Sequence, residues 1–178
     1  MKQQGFTLIE LLIVCAITAI ISYAAMPSIA FMIEQNRINT DISRLLLMIQ
    51  ATRQSSINRS TTSVLCPTEN STRCIRNWKL PLMLFSDLNK NKKRDTNEPI
   101  ISQFEAFSEP GLLLDYPKTQ IRFNEHGMAN YYNGTLSYCL NQAVKGIIIS
   151  RVGRIRFARD LDGDHIPDVN PSTSVSCQ

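Results

Sequence analysis

The feature that most constrains this chain is an apolar run from Phe6 to Ile33 that carries one ionisable side chain expected to be charged, Glu10. About 20 apolar residues cross a hydrocarbon layer, so the run is long enough to be a spanning helix. A secretory signal peptide would place a small-x-small cleavage site after its apolar region. No such site ends the segment beyond residue 20. A carboxylate near the edge of a bilayer costs a few kcal/mol unless it is paired, so Glu10 asks for a function beyond anchoring.

The residues around that acid, Gly5-Phe6-Thr7-Leu8-Ile9-Glu10-Leu11-Leu12, resemble the processing site of type IV pilins and pseudopilins. The resemblance implies cleavage after Gly5 by a prepilin peptidase and methylation of the new N-terminal Phe6. It also implies that Glu10 pairs with the N-terminal amine of a neighbouring subunit in a filament core. Two opposite charges in an apolar bundle satisfy each other where either alone is costly. Lys2 supplies a positive flank that keeps the leader cytoplasmic. Pro27 removes a backbone hydrogen bond inside the helical pattern, which predicts a kink or a locally melted turn. Cys15 reads as a small apolar packing residue.

Beyond the apolar run, Ile38, Ile42, Leu45 and Ile49 recur at helical spacing, which predicts an amphipathic continuation ending near 57–60. After Thr61 the pattern changes to short strands at Thr62–Cys66, Trp78–Ser86, Pro99–Phe107, Leu112–Tyr116, Gln120–Asn124, Thr135–Leu140 and Val144–Arg159, the last split at Gly153. Turn formers such as Pro110-Gly111 and Asn133-Gly134 separate them. The expectation is an α+β chain with an antiparallel sheet, divided into leader 1–5, membrane and filament-core helix 6–33, amphipathic helix 34–60 and β-rich domain 61–178.

Leu65-Cys66-Pro67, Trp78…Phe85-x-Asp87-x-Asn89-x-Asn91, Ile121-x-Phe123-x-x-x-Gly127 and Ile147-Ile148-Ile149-Ser150-x-x-Gly153-Arg154-Ile155-Arg156 resemble the GspH/FimT family in order and spacing. The resemblance implies a minor component of a type IV pilus or of a type II secretion pseudopilus. Its partners would be other major and minor pilins. Its location would be the inner membrane as a single-pass protein, then a cell-surface pilus or a periplasmic pseudopilus.

Of five cysteines, Cys66, Cys74, Cys139 and Cys177 fall in the β-rich part and permit three pairings. Cys66–Cys74 with Cys139–Cys177 fits best, because turn-like sequence separates the first two. A zinc site is the rival reading, against which stand the absence of Cys-x-x-Cys and the separation of His126 from His165. Disulfides imply an oxidising compartment such as the periplasm.

The net charge of +4 hides two patches: Lys145, Arg151, Arg154, Arg156 and Arg159, then Asp160, Asp162, Asp164 and Asp168. In an extended strand Arg154 and Arg156 share a face about 7 Å apart, with Ile155 and Phe157 on the other. Such a pair, with Lys145, Arg151 and Arg159 nearby, suits successive phosphates of nucleic acid. Gly153-Arg154-Ile155-Arg156 resembles the C-terminal DNA-contact motif of FimT-type minor pilins, which implies non-specific DNA binding for uptake in natural transformation. The competing reading is a solvated strand neutralised by the following aspartates. Two further readings remain open, a FimU-like subunit that primes pilus assembly through protein contacts and a GspH-like pseudopilin.

Enzyme readings fare poorly, since no Gly-rich phosphate loop, no Gly-x-Ser-x-Gly and no nucleophile beside either histidine is present. No cofactor is expected, apart from calcium as a metal candidate. Asp160, Asp162, Asp164 and Asp168 have calcium-loop spacing, as do Asp87, Asn89, Asn91, Asp95 and Glu98, although both lack glycine at the sixth position. Lysines crowd the second set, which reads as a β-turn tip.

Overall fold

The computed structural model describes residues 7–107, 109–141 and 143–177, and of residues 24–28, 30 and 31 the backbone alone. Among the described residues a long helix, α1 (Leu8–Asn58), precedes ten strands. The chain divides into two compact units, Met1–Thr40 and Asp41–Gln178.

In the first unit α1 starts from a reciprocal cap. The Thr7 amide and hydroxyl both donate to Glu10 Oε2 at 2.8 Å, and the Glu10 amide returns a 3.3 Å bond to Thr7 Oγ1. This capping box satisfies N-terminal donors that the helix itself leaves open. Polar residues within the apolar stretch are closed internally: Thr18 Oγ1 donates to Val14 O at 2.9 Å, and Ser22 Oγ to Thr18 O at 2.7 Å. The apolar side chains Leu8, Ile9, Leu11, Leu12 and Ile13 stand exposed. The backbone stays helical through position 27, so the melted turn expected at Pro27 does not occur. Packing and neighbouring bonds can tolerate a proline in an apolar helix. Among the described residues, no helix is long and apolar enough to cross a membrane. Phe6, the first residue of the expected segment 6–33, lies outside the described residues, as does Gly5.

In the second unit two four-stranded antiparallel sheets follow the helix. One has the order β3-β2-β1-β5, built from β1 (Thr62–Pro67), β2 (Leu82–Asp87), β3 (Ile100–Phe104) and β5 (Ile121–Phe123). The other has the order β4-β6-β7-β8, built from β4 (Leu113–Asp115), β6 (Gly134–Leu140), β7 (Ala143–Ile149) and β8 (Ile155–Phe157). Every residue of β1 and of β2 is buried, the polar Thr62, Ser63, Ser86 and Asp87 included, so neither strand shows an alternation of buried and exposed positions. On one face Val64, Cys66, Met83 and Phe85 form a cluster that Cys74 and Ile100 cover. The α1 residues Ile42, Leu45 and Ile49 are buried, as the helical spacing predicts.

Polar bonds join this part of α1 to the sheets and their loops. Tyr138 Oη donates to Asp41 at 2.9 Å, Arg44 Nη2 to Glu105 O at 3.4 Å and Arg53 Nε to Gly127 O at 3.0 Å. Disulfides join Cys66 to Cys74 and Cys139 to Cys177, the pairing favoured by the spacing. The sequence reading missed the two-stranded ribbon of β9 (Asp168–Asn170) and β10 (Thr173–Ser174). These strands are too short to show a period.

Candidate functional site

The basic segment folds as a hairpin edge. A tight turn links β7 to β8: the Gly153 amide donates to Ser150 O, the Ser150 amide to Arg154 O, and the Arg154 amide to Ser150 Oγ at 3.0 Å. Gly153 has φ +84°, and a Cβ there would lie 1.8 Å from Gly127 O. The glycine of Gly153-Arg154-Ile155-Arg156 is therefore required by a backbone crossing, whatever the arginines do. β8 is the edge strand of its sheet. Register sets Ile155 opposite Ile149, Arg156 opposite Ile148 and Phe157 opposite Ile147. Arg156 and Ile155 thus take opposite faces, as alternation requires.

Beside this edge runs a groove of about 640 Å³, lined by Leu46 and Gln50 of α1 and by Arg154, Arg156, Arg159 and Leu161. Its three arginines are not equivalent. Arg154 and Arg159 are exposed, while half-buried Arg156 donates through Nη2 to Val169 O at 3.0 Å. With a 3.4 Å bond from Nη1 to Phe157 O, that bond fixes the Arg156 guanidinium and still leaves donors for a further acceptor. Among the described residues, none of Arg151, Arg154, Arg156 and Arg159 forms an ion pair with a carboxylate.

Two residues expected in this cluster lie elsewhere. Lys145 on β7 shares its face with buried Ile147 and Ile149, opposite the Arg156 face. A two-residue period cannot put Lys145 and Arg156 on one side of neighbouring strands at this register. Arg151 lines a different hollow with Lys118, Asn130 and Tyr131.

The aspartates that follow are engaged with their own loop. Asp160 accepts from the Gly163 amide at 2.7 Å and the His165 amide at 2.9 Å, and buried Asp168 accepts from the Leu161 amide at 2.8 Å. The Gly163 amide, followed by that of His165, holds the Asp160 carboxyl below its ordinary value. Oxygens of Asp160, Asp162 and Asp168 lie within 4.8 Å of one another, a donor set of the kind that hard cations take. Asp164 is not in that set; its Oδ1 accepts from the Ile166 amide.

The other loop with calcium spacing closes on itself. Asp87 accepts the Asn91 and Lys92 amides and sits 2.7 Å from Arg122 Nη1. Glu98 takes the Leu88 and Asp95 amides, and Asp95 takes the side-chain amides of Asn89 and Asn91. These oxygens build a β-turn tip, as the crowding lysines indicate.

Comparison with known proteins gives the same architecture. The family described as type II transport protein GspH matches residues 41–153, and the prokaryotic N-terminal methylation motif matches residues 1–26. No curated protein matches the chain. The fold is similar to that of the type IV minor pilin FimU of Pseudomonas aeruginosa. In one crystal form the TM-score is 0.56 at 16% identity, over 71% of this chain and 91% of that one. In a second the TM-score is 0.52 at 15% identity, over 68% and 92%.

Proposed function

The chain belongs to the family of the type II transport protein GspH, and on that footing we propose that it is a minor pilin whose β8 edge binds the phosphate backbone of DNA. Its methylation motif supports a processed N-terminus, with cleavage after Gly5, a methylated Phe6 and anchoring through residues 6–33 before filament entry. Glu10 then exchanges part of its cap to Thr7 for the amine of a neighbouring subunit. Both partners are charge-assisted donors to the same carboxylate, so the acid is never left bare in an apolar core.

The observation that carries the DNA reading is the set of guanidinium groups without carboxylate partners along one groove, Arg154, Arg156 and Arg159. The aspartates that could have neutralised them bond their own loop instead. Arginine forks fit phosphate oxygens, and backbone contacts of this kind carry no base sequence. Binding is therefore indifferent to sequence and falls steeply with salt.

The test is an electrophoretic mobility shift of full-length chain in neutral-detergent micelles, compared with Arg154→Ala/Arg156→Ala. Weakened binding with a smaller salt slope supports the reading. Unchanged binding by the double variant overturns it. Absence of DNA binding by the parent chain would instead favour a subunit that acts through protein contacts alone, in pilus priming or in type II secretion.

A further inference from the structure

A second and larger basic surface lies away from the Arg154 groove, and the sequence reading did not assemble it. Three loops meet around a groove of about 730 Å³ that Arg73, Arg76, Lys92, Lys93, Arg94 and Lys118 line. Among the described residues the only acid in the lining is Asp95, and the side-chain amides of Asn89 and Asn91 both donate to its Oδ2. The loops are stitched to one another. The Cys66–Cys74 bridge fixes the first, and Arg94 Nη1 donates to Ser71 O at 3.0 Å from the second. Gln103 Nε2 adds a 2.6 Å bond to Ser71 Oγ. Like charges gathered by covalent and hydrogen-bonded links repel one another, and an anionic ligand would relieve that repulsion.

Some of these cations are already used. Arg76 lies 3.6 Å from Asp115, and Arg94 is held by Ser71. Arg73, Lys92 and Lys93 are exposed and, among the described residues, have no carboxylate partner. The groove opens into the hollow that contains Arg151, and the two share Pro117, Lys118 and Tyr131. Tyr131 is 72% exposed at this junction, with Lys118 Nζ 4.0 Å over its ring. The Asn130 amide donates to Arg151 O at 2.9 Å, which ties the Tyr131 turn to the β7–β8 turn. Arg151 and Arg154 therefore stand on one rigid turn, each facing a different groove.

We infer that the Arg73–Lys92–Lys93 groove is a second nucleic-acid backbone site, joined through Lys118, Tyr131 and Arg151 to the Arg154 groove. A strand lying along it would set successive phosphates against the free cations and bring a sugar or base onto exposed Tyr131, a contact that tolerates any sequence. The inference rests on the reading that the partner is nucleic acid, and extends it from one groove to two.

The experiment uses full-length chain in neutral-detergent micelles and a fluorescent oligonucleotide titrated across salt. Three proteins are compared with the parent: Arg73→Gln/Lys92→Gln/Lys93→Gln, Arg154→Ala/Arg156→Ala, and the combination. Loss of three phosphate contacts lowers the slope of log K against log salt by about 2–3 and weakens binding about tenfold or more at moderate salt. The combined variant is expected to lose more than either parent variant.

A measurement on the unaltered chain removes any dependence on variant folding. Bound DNA is expected to slow acetylation of Lys92, Lys93 and Lys118, while Lys79, outside both grooves, keeps its rate. An unchanged slope in the triple variant, or no protection of Lys92 and Lys93, overturns the second site and leaves the Arg154 reading standing. Loss of binding in the triple variant with none in Arg154→Ala/Arg156→Ala keeps this groove and removes the other. Equal protection by polyglutamate assigns the groove to anionic polymers in general and overturns the nucleic-acid inference.

Discussion

Gly153→Ala separates two physical demands placed on one residue. The first is conformational: φ is +84°, a region that costs an L side chain about 1–2 kcal/mol. Loss of unfolded-state freedom on going from Gly to Ala returns roughly 0.4–1 kcal/mol. The second demand is steric. The new Cβ would lie 1.8 Å from Gly127 O and 3.0 Å from Arg53 Nε, so the backbone crossing must open. A carbonyl cannot rotate away as a side chain can, and forced repacking of this kind costs about 1–3 kcal/mol. Opening also strains the 3.0 Å Arg53 Nε–Gly127 O hydrogen bond, for about 1 kcal/mol more.

The sum is roughly 3–4 kcal/mol, or a fall in Tm on the order of 10–15 °C for a unit of this size. Gly111 and Gly163 provide internal controls, because their φ values are +78° and +88° and no atom lies within 4 Å of a Cβ at either. Gly111→Ala and Gly163→Ala should cost about 1 kcal/mol or less, since only the conformational demand applies. Unfolding is followed through the fluorescence of Trp78, the single tryptophan, which is 1% exposed. If Gly153→Ala melts with the two controls, the crossing is soft and the account of this glycine is wrong.

Other outcomes follow from the same unit. Removing Cys139–Cys177, which closes 38 residues, is expected to lower stability by about 4 kcal/mol, against about 2.5 for Cys66–Cys74, which closes 8; thermal midpoints of paired Cys→Ala variants give the order. Asp87→Asn leaves Arg122, whose side chain is 11% exposed, without its 2.7 Å partner. The expected loss is about 3–5 kcal/mol, and adding Arg122→Gln should recover part of it in a double-mutant cycle. Asp160 has a lowered folded pKa, so its contribution to loop order is present above the ordinary carboxylate value and is lost as pH falls through the folded value. The amide NMR shift of Gly163 should therefore move in acid below about pH 4, and Asp160→Asn should abolish that movement.

Much of the strand order was legible because each strand stands between turn formers. The predicted 62–66, 112–116, 120–124 and 135–140 segments overlap β1, β4, β5 and β6, and the split at Gly153 falls in the β7–β8 turn. The buried helix stripe followed from a 3.6-residue period alone. Glu10 was read as the partner of a neighbouring subunit's amine, and the Thr7-x-x-Glu10 capping pattern that the sequence also displays was passed over. Apolar neighbours drew attention to the cost of the charge and away from that local partner. The candidate site was harder, because proximity along the chain stood in for proximity in space. Lys145 precedes the arginines by a few residues, but strand register turns it to the other face. Arg73, Lys92 and Lys118 are far apart in sequence, and a disulfide with side chain–backbone bonds brings them to one groove. No period or motif encodes that meeting.

The arginines in and beside β8 answer two requirements at once, which is why neither the motif nor its bland alternative is complete alone. β8 is an edge strand, and an edge without charge invites pairing with another chain. Arg154 and Arg159 meet that need by charge and exposure, which lysine would supply equally well. Arg156 differs, because its guanidinium is fixed through Nη2 on Val169 O and through Nη1 on Phe157 O, while three of its five N–H donors stay available. A group held in this way loses little rotamer freedom when it meets a phosphate, and lysine has no fixed fork with which to do the same. Edge protection accounts for the charge along this groove; the bond to Val169 accounts for arginine at its centre.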